Sequence, residues 1–139
     1  MCGIAGAVNY RLQYSAIKSA MGHRGPDEQN GIQIDNVDFY HLRLSILDIS
    51  GGKQPMQLHE RYTIIYNGEI YNYRELKQQH HIQTQTQSDT EVLLHLYDKM
   101  GEKMLDELDG MFVMAIYDRQ AKQLFLCRDR AGEKPLYYY

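Results

Sequence analysis

Met1-Cys2-Gly3-Ile4-Ala5-Gly6-Ala7-Val8-Asn9 opens the chain. Its second part, Ile4 to Asn9, is short, apolar and interrupted by glycine, which predicts a first strand. Such a strand would hold Cys2 in a fixed place at the edge of a sheet. With Met1 removed, Cys2 carries a thiol and a free α-amine on one residue. Their reference pKa values are about 8.5 and about 7.7–8.0. The amine can therefore take the thiol's proton, directly or through a water, as the sulfur attacks: a nucleophile with its own base. While Met1 remains, the amine is tied up in an amide and the thiol is crowded. Met-Cys-Gly alone is a weak signal, because a cysteine in second place is most often incidental. The rest of the chain has to supply the other parts of such a site.

The 139 residues suggest one domain with a core large enough to fold unaided. Hydrophobic residues make up 43% and charged residues 24%, an ordinary soluble balance. A net charge of −3 gives no electrostatic footprint for nucleic acid or an anionic membrane. The longest apolar run, Met111 to Tyr117, is too short to span a bilayer. No basic stretch precedes an apolar one at the N-terminus, so no signal peptide is expected. Cys2 and Cys127 do not make a disulfide framework, and a reducing, cytoplasmic setting is the expectation. No metal is expected either: there is no Cys-x-x-Cys, and His80-His81 is not a paired-ligand pattern. The chain has 12 Tyr, 3 Phe and no Trp, which suits half-buried strand positions.

Along the chain, Ala16, Ile17, Ala20 and Met21 predict an amphipathic helix from Tyr14 to Gly22. His23-Arg24-Gly25-Pro26-Asp27 is a turn by composition, and His23 reads as structural. Gly31–Ile34 and Val37–His41 form a hairpin around Asp35-Asn36. Arg43-Leu44-Ser45-Ile46-Leu47-Asp48 has no clean period. Gly51-Gly52-Lys53 lacks the full spacing of a phosphate loop. Tyr62–Tyr66 is a strand expected to end at a corner, Asn67-Gly68, before a helix over Tyr73–Gln79. Gln83–Gln87 is a polar extended segment. Ser88-Asp89-Thr90-Glu91 is a capping box opening a helix from Asp89 to Met100. Glu102–Leu108 predicts a second short helix. Met111–Asp118 and Gln123–Arg128 make a hairpin, with Cys127 as a small buried hydrophobe. Asp129–Lys134 is a charged glycine loop, and Leu136–Tyr139 reads as a strand just starting, which suggests a partial chain.

A cysteine nucleophile needs oxyanion donors, and the Asn67-Gly68 corner offers them. It needs an anchor for its substrate, and Arg43 offers a bidentate carboxylate site. It needs a carboxylate for a cationic group. Asp89 or Glu69 can serve, although Asp89 in a first helical turn also simply complements the helix dipole. Arginine plus acidic residues matches a substrate with an α-carboxylate and an α-ammonium. A Cys–His arrangement stays open, since six histidines are present and none is singled out.

Seven motifs occur in order: Met-Cys-Gly-Ile-Ala-Gly at 1–6, His-Arg-Gly-Pro-Asp at 23–27, Arg-Leu-Ser-Ile-Leu-Asp at 43–48, Asn-Gly-Glu-Ile-Tyr-Asn at 67–72, Ser-Asp-Thr-Glu at 88–91, Asp-Gly-Met-Phe at 109–112 and Arg-Asp-Arg-x-Gly-x-Lys-Pro-Leu-Tyr at 128–137. Together they resemble the glutaminase domain of glutamine-hydrolysing asparagine synthetases, a class II glutamine amidotransferase. The resemblance implies an α+β fold of the N-terminal nucleophile hydrolase type: a four-layer α/β/β/α sandwich of two antiparallel sheets flanked by helices, here truncated at the C-terminus. It implies that residues 1–139 are an incomplete glutaminase domain, with the ATP-dependent synthetase domain absent. Cys2 would form a γ-glutamyl thioester and release ammonia from L-glutamine. Asn67 and Gly68 match the oxyanion positions, and Arg43 the grip on the α-carboxylate. The backbone of Leu44, Ser45, Ile46 and Leu47 would line the glutamine pocket. Glu69 and Asp89 match the positions that hold the α-amino group. The glutaminase step would need no cofactor, with ATP and magnesium used only in the synthetase domain. That domain or subunit would accept the ammonia, and the full-length family admits a homodimer. Two other outcomes remain: another acceptor, such as a sugar carboxylate in polysaccharide synthesis, or a non-catalytic truncated fragment.

Overall fold

The computed structural model describes residues 2–45 and 51–139. Two antiparallel sheets lie face to face. The first has three strands in the order β1-β3-β2: β1 (Gly3–Val8), β2 (Glu28–Ile34) and β3 (Val37–Arg43). The second has four in the order β4-β5-β6-β7: β4 (Met56–Leu58), β5 (Tyr62–Ile70), β6 (Gly110–Asp118) and β7 (Gln123–Arg128). Helix α1 (Tyr14–Met21) covers the outer face of the first sheet, and α2 (Tyr73–Gln79) and α3 (Asp89–Met100) cover the second. This is the expected α+β sandwich.

Side-chain alternation sorts the layers. In β3, Val37 and Phe39 point inward and meet Ile65, Ala115 and Tyr117 of the second sheet. Tyr40, one residue along, points outward and stacks on Tyr14 of α1 at 4.5 Å. In β5 and β6, Ile64, Tyr66, Phe112, Met114 and Ile116 face the other way and pack on Val92, Leu93 and Leu96 of α3. At one end the sandwich is tied by Asp35, which accepts from Tyr117 Oη at 3.0 Å and from Lys122 Nζ at 2.6 Å.

β1 is an edge strand, as expected, and pairs with β3 so that Gly3 faces Leu42 and Ile4 faces His41. Cys2 therefore enters the sheet beside Arg43. The predicted helices at Tyr14, Tyr73 and Asp89, and the hairpin of β6 and β7, lie where periodicity puts them.

Five details differ. The β5 strand does not end at Asn67-Gly68 but runs on to Ile70, with Asn67 opposite Val113 and Gly68 opposite Phe112. Asn-Gly is no corner here because β6 carries the pairing straight through it. A Cβ at Gly68 would stand 2.2 Å from Met111 O, so the glycine serves this close strand approach. The short strand β4 had no alternation to announce it. Gly101–Asp106 is a 3-10 helix, which replaces the short helix expected from Glu102. Leu136–Tyr139 forms no strand, and Tyr137 to Tyr139 are exposed. Finally, the capping box is half made. Ser88 Oγ accepts from Thr90 N at 3.1 Å, but Glu91 turns away to accept from Gln85 N and Thr86 N at 2.9 and 2.7 Å. Glu91 thus pins the polar segment before α3, and those hydrogen bonds outweigh its burial to hold its carboxyl below the ordinary range. Among the described residues, no helix is long and apolar enough to cross a membrane.

Candidate functional site

Where the first sheet meets β5, a cavity of about 90 Å³ opens, room for several water-sized groups. Cys2, Arg43 and Leu44 line it from one sheet, Asn67, Gly68 and Glu69 from the other, and Asp89 from the start of α3. Residues from six of the seven sequence motifs converge on it, with Met111 and Lys134 supplied by the last two. Of the other predicted residues, Ser45 lies outside the lining, its N–H donating to Asp27 Oδ2 at 2.7 Å, and Ile46 and Leu47 fall outside the described residues. Among the described residues, no cluster of three or more His, Cys, Asp or Glu side chains is suited to a metal ion.

Cys2 is half-buried, and the Leu44 N–H points at its sulfur at 3.4 Å. The nucleophile's backbone is held as well: Arg24 Nε donates to Cys2 O at 3.4 Å. The rest of the turn at 23–27 clamps the end of β3. Asp27 N donates to Arg43 O at 3.1 Å, and a Cβ on Gly25 would lie 2.1 Å from the Leu42 carbonyl carbon. What composition marked as a turn is a brace that fixes Cys2 against Arg43.

Arg43 is buried, 4% exposed, and its Nη1 lies 3.2 Å from Glu28 Oε2. Glu28 also meets the exposed Lys53 at 3.4 Å. Burial alone would raise the Glu28 carboxyl, but hydrogen bonds from Asn30, Arg43 and Lys53 outweigh it and hold the group ionised. A buried guanidinium oriented this way is suited to a bidentate carboxylate.

The donors on β5 follow from ladder arithmetic. In an antiparallel pair, facing residues alternate between hydrogen-bonded and non-hydrogen-bonded. Phe112 turns its backbone groups toward Asp129: Asp129 N donates to Phe112 O at 2.8 Å, and Phe112 N donates to Asp129 Oδ2 at 3.2 Å. Gly68, facing Phe112, therefore directs its N–H away from β6. On that side β4 pairs β5 only from Tyr62 to Ile64. Beyond it the N–H groups of even-numbered residues point off the ladder. Tyr66 N meets Gln54 Oε1 at 2.6 Å and Ile70 N meets Asp89 Oδ2 at 3.1 Å. Between them the Gly68 N–H faces the cavity. An open strand edge, not a corner, turns this one N–H off the ladder.

Asp89 Oδ2 also accepts from Tyr66 Oη at 2.7 Å. Burial pushes its carboxyl above the usual range, against the pull of those two donors. The site thus presents buried Arg43 at one side and acidic Asp89 and Glu69 at the other.

Several lining residues were not legible in sequence. His41, Gln54, Tyr66, Thr90 and Lys134 all reach the cavity. His41 had a faint signal: it lies two residues before Arg43 on the same strand and so shares its face. Lys134, buried although charged, is placed by Asp129, whose carboxylate accepts from Glu133 N at 2.8 Å and Lys134 N at 3.0 Å.

A family model described as a glutamine amidotransferase domain matches residues 1–139. The chain is 42% identical to asparagine synthetase [glutamine-hydrolyzing] 3 of Bacillus subtilis, with 99% of the chain and 25% of that protein covered. It is 39% identical to asparagine synthetase B [glutamine-hydrolyzing] of Escherichia coli, covering 99% of the chain and 26% of that protein. With the asparagine synthetase [glutamine-hydrolyzing] of Rattus norvegicus it shares 42% identity over 88% of the chain and 23% of that protein. The chain thus spans about a quarter of the length of these relatives.

Proposed function

The chain belongs to the glutamine amidotransferase domain family, and on that premise we propose that it hydrolyses L-glutamine to glutamate and ammonia through Cys2. The observation that carries the reading is the convergence of Cys2, Arg43, Asp89 and the outward-facing Gly68 N–H on one cavity.

In this reading Arg43 takes the α-carboxylate of glutamine, and Asp89 with Glu69 takes the α-ammonium. The side-chain amide then lies between Cys2 and β5. Once Met1 is removed, the free Cys2 amine takes the thiol proton as the sulfur bonds to the γ-carbon. The carbonyl oxygen becomes an oxyanion, held by the Asn67 side-chain amide and the Gly68 N–H, donors fixed before the charge appears. As the intermediate collapses, the C–N bond breaks and the ammonium formed on Cys2 returns its proton to the leaving nitrogen, so ammonia departs. A γ-glutamyl thioester remains. Water attacks it with the same amine as base and the same donors on the oxyanion. The C–S bond breaks, the thiol is re-formed and glutamate leaves. The chemistry uses side chains and backbone only.

We take the ammonia to be passed to a synthetase-type domain or subunit, as the relatives' names suggest, with ATP and magnesium used there. The setting proposed is cytoplasmic, with no nucleic-acid or membrane partner, and a homodimer is compatible with it. The test is glutamate and ammonia release by the purified chain, with loss of Met1 established by intact mass. Cys2→Ala should abolish turnover while glutamine still binds. A folded, Met1-free chain that neither binds nor hydrolyses glutamine overturns the reading.

A further inference from the structure

His41 is a buried ionisable group that the chemistry above does not use. It is 1% exposed, on β3, two residues from Arg43, and lines the cavity floor. Its Nε2 lies 3.1 Å from the carbonyl oxygen of Tyr66 on β5. A carbonyl only accepts, so Nε2 carries the proton and donates. The contact crosses from the sheet that carries Cys2 and Arg43 to the strand that carries Asn67 and Gly68.

Tyr66 is held at each of its polar groups. Its N–H is taken by Gln54 Oε1 at 2.6 Å, its hydroxyl by Asp89 at 2.7 Å, and its carbonyl by His41. The carbonyl matters most for the reacting centre. It belongs to the peptide plane joining Tyr66 to Asn67, so its direction sets where the Asn67 Cα stands and how the next peptide presents the Gly68 N–H. β4 pairs no further than Ile64, and among the described residues no strand pairs with this edge of β5 beyond it.

We propose that His41 is a positioning residue for the oxyanion donors: by holding the Tyr66 carbonyl across the sheet interface, it sets the distance between Cys2 and the Asn67–Gly68 pair. The inference rests on the glutaminase reading of the site. His41 touches no reacting atom. It contributes geometry, and displacements of about 1 Å at a reacting centre cost on the order of a hundredfold in rate.

Two variants separate this from a packing role. His41→Phe keeps the ring volume and removes the donor. His41→Gln places an amide nitrogen near the Nε2 position and restores it. Against glutamine, kcat of His41→Phe should fall about ten- to hundredfold with KM within about threefold, since Arg43 and Asp89 still grip the substrate. His41→Gln should recover most of that loss. Unchanged kcat in folded His41→Phe, or His41→Gln no better than His41→Phe, overturns the proposal. A readout independent of turnover is the backbone amide NMR signals of Asn67 and Gly68. They should shift in His41→Phe and return toward their original positions in His41→Gln. If the unsubstituted chain binds no glutamine and shows no turnover, the glutaminase reading fails, while the NMR comparison still decides whether His41 sets the geometry of β5. Signals that stay in place overturn that too.

Discussion

Tyr66 Oη donates to Asp89 Oδ2 at 2.7 Å, on the oxygen that the Ile70 N–H reaches at 3.1 Å. Two donors on one buried carboxylate oxygen favour its charged form, while burial opposes it and leaves Asp89 above the usual carboxylate range. Tyr66→Phe removes one of the donors. The Asp89 carboxyl should then rise further, and ammonium binding should fail at a higher pH. In a Cys2→Ala background, where no turnover intervenes, the acid limb of glutamine affinity should move upward. Affinity on that limb should weaken by about ten- to hundredfold, the scale of a hydrogen bond to a charged group. Calorimetric titration across pH 4.5 to 8 checks this, and superimposable limbs for the two proteins refute it.

Arg43 is buried with Glu28 at 3.2 Å, so its fork is oriented before any ligand arrives. Arg43→Lys keeps the charge and loses the two-pronged geometry. KM for glutamine should rise about ten- to hundredfold, with kcat within about threefold. A change in kcat alone would mean that Arg43 acts on the reacting centre and not on the α-carboxylate. Steady-state kinetics of glutamate release separate the two.

The elements that sequence predicts well are those with strong local pattern. The α3 helix, with Ser88 before it and apolar residues at Val92, Leu93, Leu96 and Met100, runs over the expected residues. The β6–β7 hairpin does the same. What failed was local inference about a non-local fact. Asn67-Gly68 has turn composition, yet β6 lies alongside and keeps the strand extended; the N–H display there depends on where β4 stops, 12 residues away in sequence at Met56. Glu91 fits the capping box as a sequence, but the polar segment at Gln85–Thr86 folds back and competes for its carboxylate. Cys2, Arg43, Asn67, Gly68, Glu69 and Asp89 were legible as candidates because their residue types suggest chemistry, and they line one cavity. His41 and Gln54 were not, because their contribution is contact with Tyr66, across the sheet interface for His41 and from the loop before β4 for Gln54, and no spacing encodes that.

Glycines divide by what stands near them. A Cβ on Gly25 meets the backbone of Leu42 and Arg43 at 2.1–2.4 Å, and one on Gly68 meets Met111 O at 2.2 Å. Backbone cannot step aside as a flexible side chain does. Gly25→Ala and Gly68→Ala should each destabilise by about 3 kcal/mol or more. Gly22 has φ −59 and nothing nearer to its Cβ position than Gln29 Nε2 at 4.0 Å. Gly22→Ala should be neutral or stabilising by up to about 1 kcal/mol. Urea denaturation of the three variants gives the ranking; a Gly68→Ala protein as stable as Gly22→Ala would contradict the β5–β6 approach.

The two cysteines should differ in reactivity. Burial pushes the Cys127 thiol up to about 12, among the residues packed on the α3 side of the second sheet. Thiolate is the nucleophile, so at pH 8 Cys127 is nearly inert. Cys2 lines an open cavity. Brief iodoacetamide treatment of the native chain should add one carbamidomethyl group, on Cys2, with Cys127 modified only after denaturation. Peptide mass spectrometry reads this directly, and equal labelling of both residues in the native chain would disprove it.

Acid stability should carry the mark of His41. Burial is the main cause that lowers its pKa to about 4, with nearby Arg43 adding to it, while the Tyr66 carbonyl and Glu28 pull the other way. In the unfolded chain a histidine titrates near 6.5. Between those values the unfolded state binds a proton that the native state refuses, so stability rises with pH through this window. Its contribution is intact above about pH 6.5 and is lost as pH falls toward 4, where both states are protonated and the loss stops growing. The full effect is roughly 3 kcal/mol. His41→Gln removes the titrating group and keeps a donor, so its unfolding free energy should be flatter between pH 6.5 and 5, the carboxylates being the same in both proteins. Urea unfolding at half-unit intervals measures both slopes. Parallel curves would mean that His41 takes up its proton in the folded state as readily as in the unfolded one, which a neutral donor buried between the sheets does not allow.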